Sequence, residues 1–90
     1  MTIQVNIHTT LRQYTNGLDV LDAEGDTVGN CLETLIQKFP GLKDALFEEN
    51  GKLLRTVEVL VNGTSAYPDE LSTPVAEGDE IHILVMLAGG

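Results

Sequence analysis

The sequence is short, acidic and poor in cysteine. Its 90 residues are enough for one domain with a single core. A formal net charge of −9, with five scattered basic residues, argues against nucleic-acid binding, which needs clustered Lys and Arg. One cysteine excludes a disulfide framework and any iron–sulfur or structural zinc site built on several thiolates.

No stretch of the sequence has the pattern of a membrane span or a secretion signal. The apolar runs are too short to cross a bilayer. Residues 1–4 lack the basic and apolar regions of a signal peptide. We therefore expect a soluble, cytoplasmic protein.

The first part of the chain predicts a hairpin. Residues 3–7 alternate apolar and polar, which is typical of a half-buried strand. Asn16-Gly17 is a strong turn dipeptide, because both positions readily take a positive φ. Leu18 and Val20 begin the second strand, which can also include Leu21. The acidic residues of this strand are expected to point outward: Asp19, Asp22 and Glu24.

A helix is predicted after this hairpin. Either Asp26 or Thr27 can cap its first turn by accepting a hydrogen bond from an early backbone N–H. Pro40-Gly41 ends it. Apolar residues recur at helical spacing and form one continuous stripe for packing on a sheet: Val28, Cys31, Leu32, Leu35, Ile36 and Phe39.

The second half of the chain predicts further strands. Residues 57–61 alternate and are closed by the turn Asn62-Gly63, after which residues 64–67 can return as a short strand. The turn Glu77-Gly78-Asp79 precedes a last strand over residues 81–86. This order favours an α+β fold, in which one main helix covers one face of a mixed sheet of four to five strands.

The last strand runs without a turn into Leu87-Ala88-Gly89-Gly90, so we expect a folded domain over residues 1–86 and a flexible tail over residues 87–90. Gly89 and Gly90 have no Cβ, which lets the backbone enter a narrow site. Extended, the tail reaches roughly 13 Å at about 3.3 Å per residue. The free carboxylate of Gly90 is therefore the predicted functional group. The alternative is an ordinary disordered end.

The strand before the tail predicts a docking surface. If Ile81 and Ile83 face the helix, then Leu84 and Met86 face the other side of the sheet, where polar residues are expected. Leu60 lies on that same face. An apolar docking patch next to the tail is predicted from Leu60, Leu84, Met86, Leu87 and Ala88. The alternative is that a loop covers these residues, or that the strand is buried on both faces.

Several motifs together resemble one family. They lie at residues 3–7, 25–28, 59–63 and 75–81, and end in Gly89-Gly90. The Glu77-Gly78-Asp79 turn, the strand after it and the terminal diglycine, in that order, are the most specific part. The chain resembles the ubiquitin-like sulfur carrier proteins, which include the small subunit of molybdopterin synthase, the thiamine-pathway carrier and the carrier of cysteine biosynthesis.

The resemblance implies both a fold and a chemistry. The fold is the ubiquitin-like β-grasp, with the last strand parallel to the first in the middle of the sheet. An E1-like adenylating enzyme and sulfurtransferase, using ATP and Mg, converts the Gly90 carboxylate to a thiocarboxylate. The carrier is then a substrate and sulfur donor and not an enzyme, with no permanently bound cofactor and no nucleic-acid or membrane partner.

The receiving pathway has two candidates. The segment 48–55 resembles the cysteine-biosynthesis carrier more than the short molybdopterin subunit. A cysteine-synthase-like acceptor is therefore expected first, with a metalloprotease that trims an added amino acid from Gly90. The large subunit of molybdopterin synthase is the alternative acceptor.

Readings from other classes remain open. The domain can be a ubiquitin-like interaction module with an incidental tail, or a modifier joined to lysines through Gly90. Cys31 can carry a persulfide, although its place in the apolar stripe favours a buried, unreactive thiol. His8 and His82 are too isolated to propose a metal site. A catalytic domain is the weakest reading, because no acid–base or nucleophilic group of residues can be named.

Overall fold

The computed structural model describes residues 2–86, which form one mixed five-stranded sheet with helices on one face. The strand order is β2-β1-β5-β3-β4. Short 3-10 helices follow β1 and precede β5, at Thr9–Tyr14 and Glu70–Ser72. The remaining elements are β1 Thr2–Ile7, β2 Val20–Glu24, α1 Val28–Lys38, α2 Gly41–Leu46, β3 Val57–Val61, β4 Thr64–Ser65 and β5 Glu80–Val85.

The first and last strands are central neighbours. β1 and β5 run parallel, with Val5 opposite Ile81 and Ile7 opposite Ile83. β2 pairs antiparallel with β1, and β3 pairs antiparallel with β5. This is the β-grasp arrangement expected from the resemblance, and the α+β fold class is confirmed.

The core lies between the inner face of the sheet and the apolar stripe of α1. Alternation buries every second side chain of β1 and buries Ile81 and Ile83 of β5, as the pleat requires, while Val85 packs on the core partly exposed. On α1 the stripe is buried as predicted at Val28, Cys31, Leu32 and Leu35, while Ile36 and Phe39 pack on it partly exposed.

Thr27 caps α1, which settles the choice between the two candidate residues. Its hydroxyl accepts a hydrogen bond from the backbone N–H of Asn30 at 3.1 Å. Asp26 supports the same turn in another way, because its Oδ1 accepts from the side-chain amide of Asn30 at 2.6 Å. The first turn of the helix is thus held by both residues, with the capping role on Thr27.

The second strand begins later than the sequence predicts. Val20 starts β2, and Leu21 and Ala23 are its buried residues, at 8% and 1% exposure. Leu18 and Val20 are 47% and 43% exposed. The register explains the difference, because Leu21 stands opposite Val5 and puts the even-numbered residues of β2 on the outer face.

Two turns at one end of the sheet are bonded to each other. The side-chain amide of Asn62 donates to Asp79 at 3.1 Å, and its oxygen accepts from the backbone N–H of Glu80 at 2.9 Å. The other oxygen of Asp79 accepts from the backbone N–H of Ala76 at 2.8 Å. This turn clamp, formed by Ala76, Asp79, Glu80 and Asn62, fixes where β5 begins.

The longest helix in the described part of the chain, α1, has 11 residues. Over residues 2–86, no helix is long and apolar enough to cross a membrane.

Candidate functional site

The central strand holds the chain in the sheet up to Met86. The backbone N–H of Met86 donates to the carbonyl of Thr56 at 2.7 Å, one residue beyond the pair Val85–Val57. On the other side, the N–H of His8 donates to the carbonyl of Ile83 at 3.1 Å. The predicted tail residues Leu87, Ala88, Gly89 and Gly90 lie outside the described residues, and the described part of the site is the end of the sheet around Met86.

Three of the predicted docking residues share the outer face of the sheet beside this end. Leu84 stands opposite Glu58, and Leu60 stands opposite His82, which places Leu60 and Leu84 diagonally across β3 and β5. Both are half-buried, and Met86 is 53% exposed. The helices pack on the other face. We call Leu60, Leu84 and Met86 the apolar patch.

The outer face extends further than the sequence analysis predicted. Asn6 stands between Val20 on β2 and His82 on β5. Val20 therefore adds an exposed apolar side chain to the far edge of the same face. Asp22 follows in the same strand, and Glu80 stands opposite Gln4. The apolar patch thus belongs to a surface with carboxylates at its margins.

Two histidines and an arginine lie near the end of the central strands. His82 Nε2 is 3.9 Å from Glu80 Oε2, a surface contact between side chains that are 38% and 53% exposed. Arg12 Nε donates to the carbonyl of Ile7 at 3.1 Å and lines a small pocket of about 250 Å³ with His8 and His82. Among residues 2–86, no three His, Cys, Asp or Glu side chains come close enough to hold a metal ion.

A larger groove opens beside Met86. It has a volume of about 760 Å³ and lies between the segment before β3 and the segment that contains the second 3-10 helix. Leu54, Val57, Leu71 and Met86 give it an apolar lining. The groove is not predicted by the sequence. We call it the Met86 groove.

Cys31 is placed where a persulfide carrier cannot work. Its side chain is completely buried in the core, at 0% exposure. Burial raises the pKa of its thiol, so the reactive thiolate is disfavoured. Burial also keeps a partner from reaching the sulfur. The expectation of a buried thiol is confirmed, and its low reactivity stays a prediction.

Comparison with known proteins agrees with this geometry. The model of the ThiS family matches residues 5–90. The sulfur carrier protein CysO of Mycobacterium tuberculosis is 36% identical over 93 residues, and the match covers 100% of both chains.

Solved structures show the same architecture. A chain of the Amycolatopsis orientalis BexX/CysO complex superposes with a TM-score of 0.87 at 34% identity, covering 98% of this chain and 99% of that one. The crystal structure of SAMP1 from Haloferax volcanii gives a TM-score of 0.86 at 27% identity, covering 100% of both chains. Both likenesses extend over the whole fold.

Proposed function

Since the chain belongs to the ThiS family of ubiquitin-like sulfur carriers, we propose that it carries sulfur as a thiocarboxylate on Gly90. The main support is the central strand: β5 is bonded on both sides and held to Met86, the last described residue, at one end of the sheet. The family match runs through residue 90 and so includes Gly89 and Gly90.

The chemistry proceeds in two steps on the terminal carboxylate. An oxygen of the Gly90 carboxylate attacks the α-phosphate of ATP, which forms an acyl-adenylate and releases pyrophosphate. Sulfide then attacks the acyl carbon, AMP leaves, and the thiocarboxylate remains with one proton released. If a persulfide is the nucleophile, the product is an acyl disulfide, and a thiol must reduce it to free the thiocarboxylate.

The carrier itself supplies no catalytic group in this scheme. An E1-like adenylating enzyme binds ATP and Mg and must exclude water, which otherwise hydrolyses the acyl-adenylate. Gly89 and Gly90 suit such a site, because a chain without Cβ atoms can pass through a narrow channel. The apolar patch, extended by Leu87 and Ala88, is proposed as the surface on which that enzyme docks.

The likeness to CysO over the full chain supports an acceptor that makes cysteine or a related sulfur amino acid. A cysteine-synthase-like enzyme would take the sulfur, and a metalloprotease would restore Gly90 by removing an added amino acid. The large subunit of molybdopterin synthase is the second candidate acceptor. Incubating the loaded carrier with extracts lacking either acceptor would identify which of them unloads it.

The test of the carrier function is the mass of the protein isolated from its native host. Replacement of the terminal –OH by –SH adds about 16 mass units by atomic arithmetic, and a thiol-selective alkylator separates this change from oxidation. Thiocarboxylate at Gly90 is the expected result. Protein that never shows it, even in extracts given ATP and sulfide, would contradict the proposal.

Deletion of Gly90 is the matching variant. We expect it to abolish adenylation, because the carboxylate is displaced by one residue, about 3.3 Å, from its place in the activating enzyme. Gly90→Ala should also abolish adenylation, since the added Cβ would not pass through the narrow channel proposed for the activating enzyme. Thermal unfolding should be unchanged in both. A variant that still accepts sulfur at the wild-type rate would refute the assignment.

A modifier function is the second candidate, because the SAMP1 likeness covers the whole chain and that protein is a small archaeal modifier protein. It predicts Gly90 joined by an isopeptide bond to lysines of other proteins. Peptide mapping of high-mass species from the host, with the Gly90 deletion as control, would detect it.

A further inference from the structure

The Met86 groove lies close to the point at which the described chain ends before Gly90. Only four residues separate Met86 from the terminal carboxylate, a reach of roughly 13 Å. Met86 itself lines the groove. An enzyme that encloses the carboxylate therefore lies within roughly 13 Å of Met86, and the groove is part of the surface that it faces.

The two chain segments that line the groove carry opposite charges. Lys52 and Arg55 come from the segment before β3, and they are two of the five basic residues of the protein. Asp69 and Glu70 come from the segment of the second 3-10 helix, and Glu58 lies on β3 between them in the chain. The groove thus has a basic segment, an acidic segment and an apolar lining.

These charges are not used within the described fold. Over residues 2–86, neither Lys52 nor Arg55 forms an ion pair with a carboxylate. The side chains of Asp69 and Glu70 likewise have no ion pair in that part of the chain; their backbone carbonyls accept hydrogen bonds from Ser72 and Thr73, which leaves the carboxylates unpaired there. A partner can therefore pair with both sets without breaking an existing contact.

We propose that the Met86 groove receives a segment of the adenylating enzyme that has an apolar side chain flanked by an acidic and a basic residue. The apolar side chain fills the groove beside Leu71 and Met86, the acidic residue meets Lys52 and Arg55, and the basic residue meets Asp69 and Glu70. The charges then fix the orientation in which the tail enters the enzyme. This inference rests on the proposed carrier function.

The groove complements the apolar patch, because its charges can fix the orientation of the docked carrier. Met86 belongs to both surfaces, so they form one continuous contact area around the end of β5. Apolar burial on the patch is non-directional. The two charged segments are the part that distinguishes one orientation of the docked carrier from another.

The experiment measures loading of ¹⁵N-labelled carrier in extract of the source organism, with ATP and sulfide added. The label separates the added carrier from the endogenous one by mass. The variant Lys52→Glu/Arg55→Glu should lower the initial loading rate about tenfold at limiting carrier concentration, and high carrier concentration should restore it. Salt should slow wild-type loading more than that of the variant.

Two further variants separate orientation from net charge. Lys38→Glu/Lys43→Glu changes the net charge by the same amount but lies on α1 and α2, away from the groove, and should load at the wild-type rate. Asp69→Lys/Glu70→Lys should also lower the loading rate, because it reverses the charge of the segment that contains the second 3-10 helix. All variants should keep the wild-type melting temperature.

The outcomes separate this inference from the carrier function. Unchanged loading of both groove variants, with loss of loading on deletion of Gly90, would overturn the groove contact and leave the carrier function standing. Faster loading of Lys52→Glu/Arg55→Glu would also overturn it, and would indicate that the groove holds the carrier's own tail. Loading without Gly90 would overturn the carrier function itself.

Discussion

Asp79 shows how a single exposed carboxylate organises the entry to the functional strand. The backbone N–H of Ala76 and, secondarily, the amide of Asn62 hold the pKa of Asp79 below its ordinary value. Both bonds are accepted by the ionised form. Because the pKa is lowered by folding, ionised Asp79 stabilises the folded state above its unfolded pKa, and this stabilisation is lost as pH falls through the folded pKa.

We therefore expect Asp79→Ala to lower the melting temperature at pH 7, with a difference from wild type that narrows as pH drops below about 4. The melting temperature of Asp79→Asn should lie between those of Asp79→Ala and the wild type, since the amide oxygen of Asn can still accept a hydrogen bond from the backbone N–H of Ala76. Thermal unfolding followed by circular dichroism over this pH range measures the effect. A difference that is constant at every pH would contradict the role given to the ionised carboxylate.

Cys31 gives a second prediction for a single residue. Since it is fully buried with a raised thiol pKa, a thiol reagent should modify it much faster in urea than in the native, unloaded protein. Cys31→Ala should still accept sulfur at Gly90 at the wild-type level. Equal labelling rates in both states, or loss of loading in the variant, would return the persulfide alternative to consideration.

Among the helices, α1 contributes most of the buried side chains that pack on the sheet. Leu35 is completely buried there, so Leu35→Ala should lower the free energy of unfolding by about 2–5 kcal/mol. Leu35→Met, which conserves volume, should cost less than about 1.5 kcal/mol. Gln37→Ala on the exposed side of the same helix should stay within about 0.5 kcal/mol. Urea denaturation measures all three.

Periodicity predicts the elements of this fold well where one face is clearly apolar. It places β1, α1 and β3 correctly, because Val5, Leu35 and Val59 each lie in an unbroken apolar pattern. It fails at β2, where Val20 and Leu21 are adjacent and either can face the core. The pairing of Leu21 with Val5 decides between them, and pairing is a long-range property that local pattern does not contain.

The same limit applies to the site. Alternation along β3 and β5 is enough to place Leu60, Leu84 and Met86 on the outer face, since both strands follow a period of two. The Met86 groove needs the approach of residues 52–55 to residues 67–72, which are distant in sequence. Their charges are visible in the sequence, but their proximity to Met86 depends on how the whole molecule folds.

At the scale of the whole molecule, the apolar patch is the surface on which we expect the activating enzyme to dock. Leu84→Glu should slow loading of the carrier, because a carboxylate replaces an apolar side chain at the docking surface. Leu18→Glu is the matched control, as Leu18 is exposed near the hairpin turn and outside the patch. Leu18→Glu should melt at the wild-type temperature, whereas Leu84→Glu stands opposite Glu58 and should melt somewhat lower, so loading is compared well below both melting temperatures. Unaltered loading by the Leu84 variant would remove the patch from the docking surface.

The parallel pairing of β1 and β5 also separates the two ends of the domain. Thr2 opens β1 at the end of the sheet where β5 begins, while Met86 leaves at the opposite end, about 20 Å away along six residues of strand. A bead, fluorophore or fusion partner attached at the amino end therefore projects away from the reactive end. Immobilised in that orientation, the protein would serve as an affinity reagent for the enzymes proposed to act on Gly90.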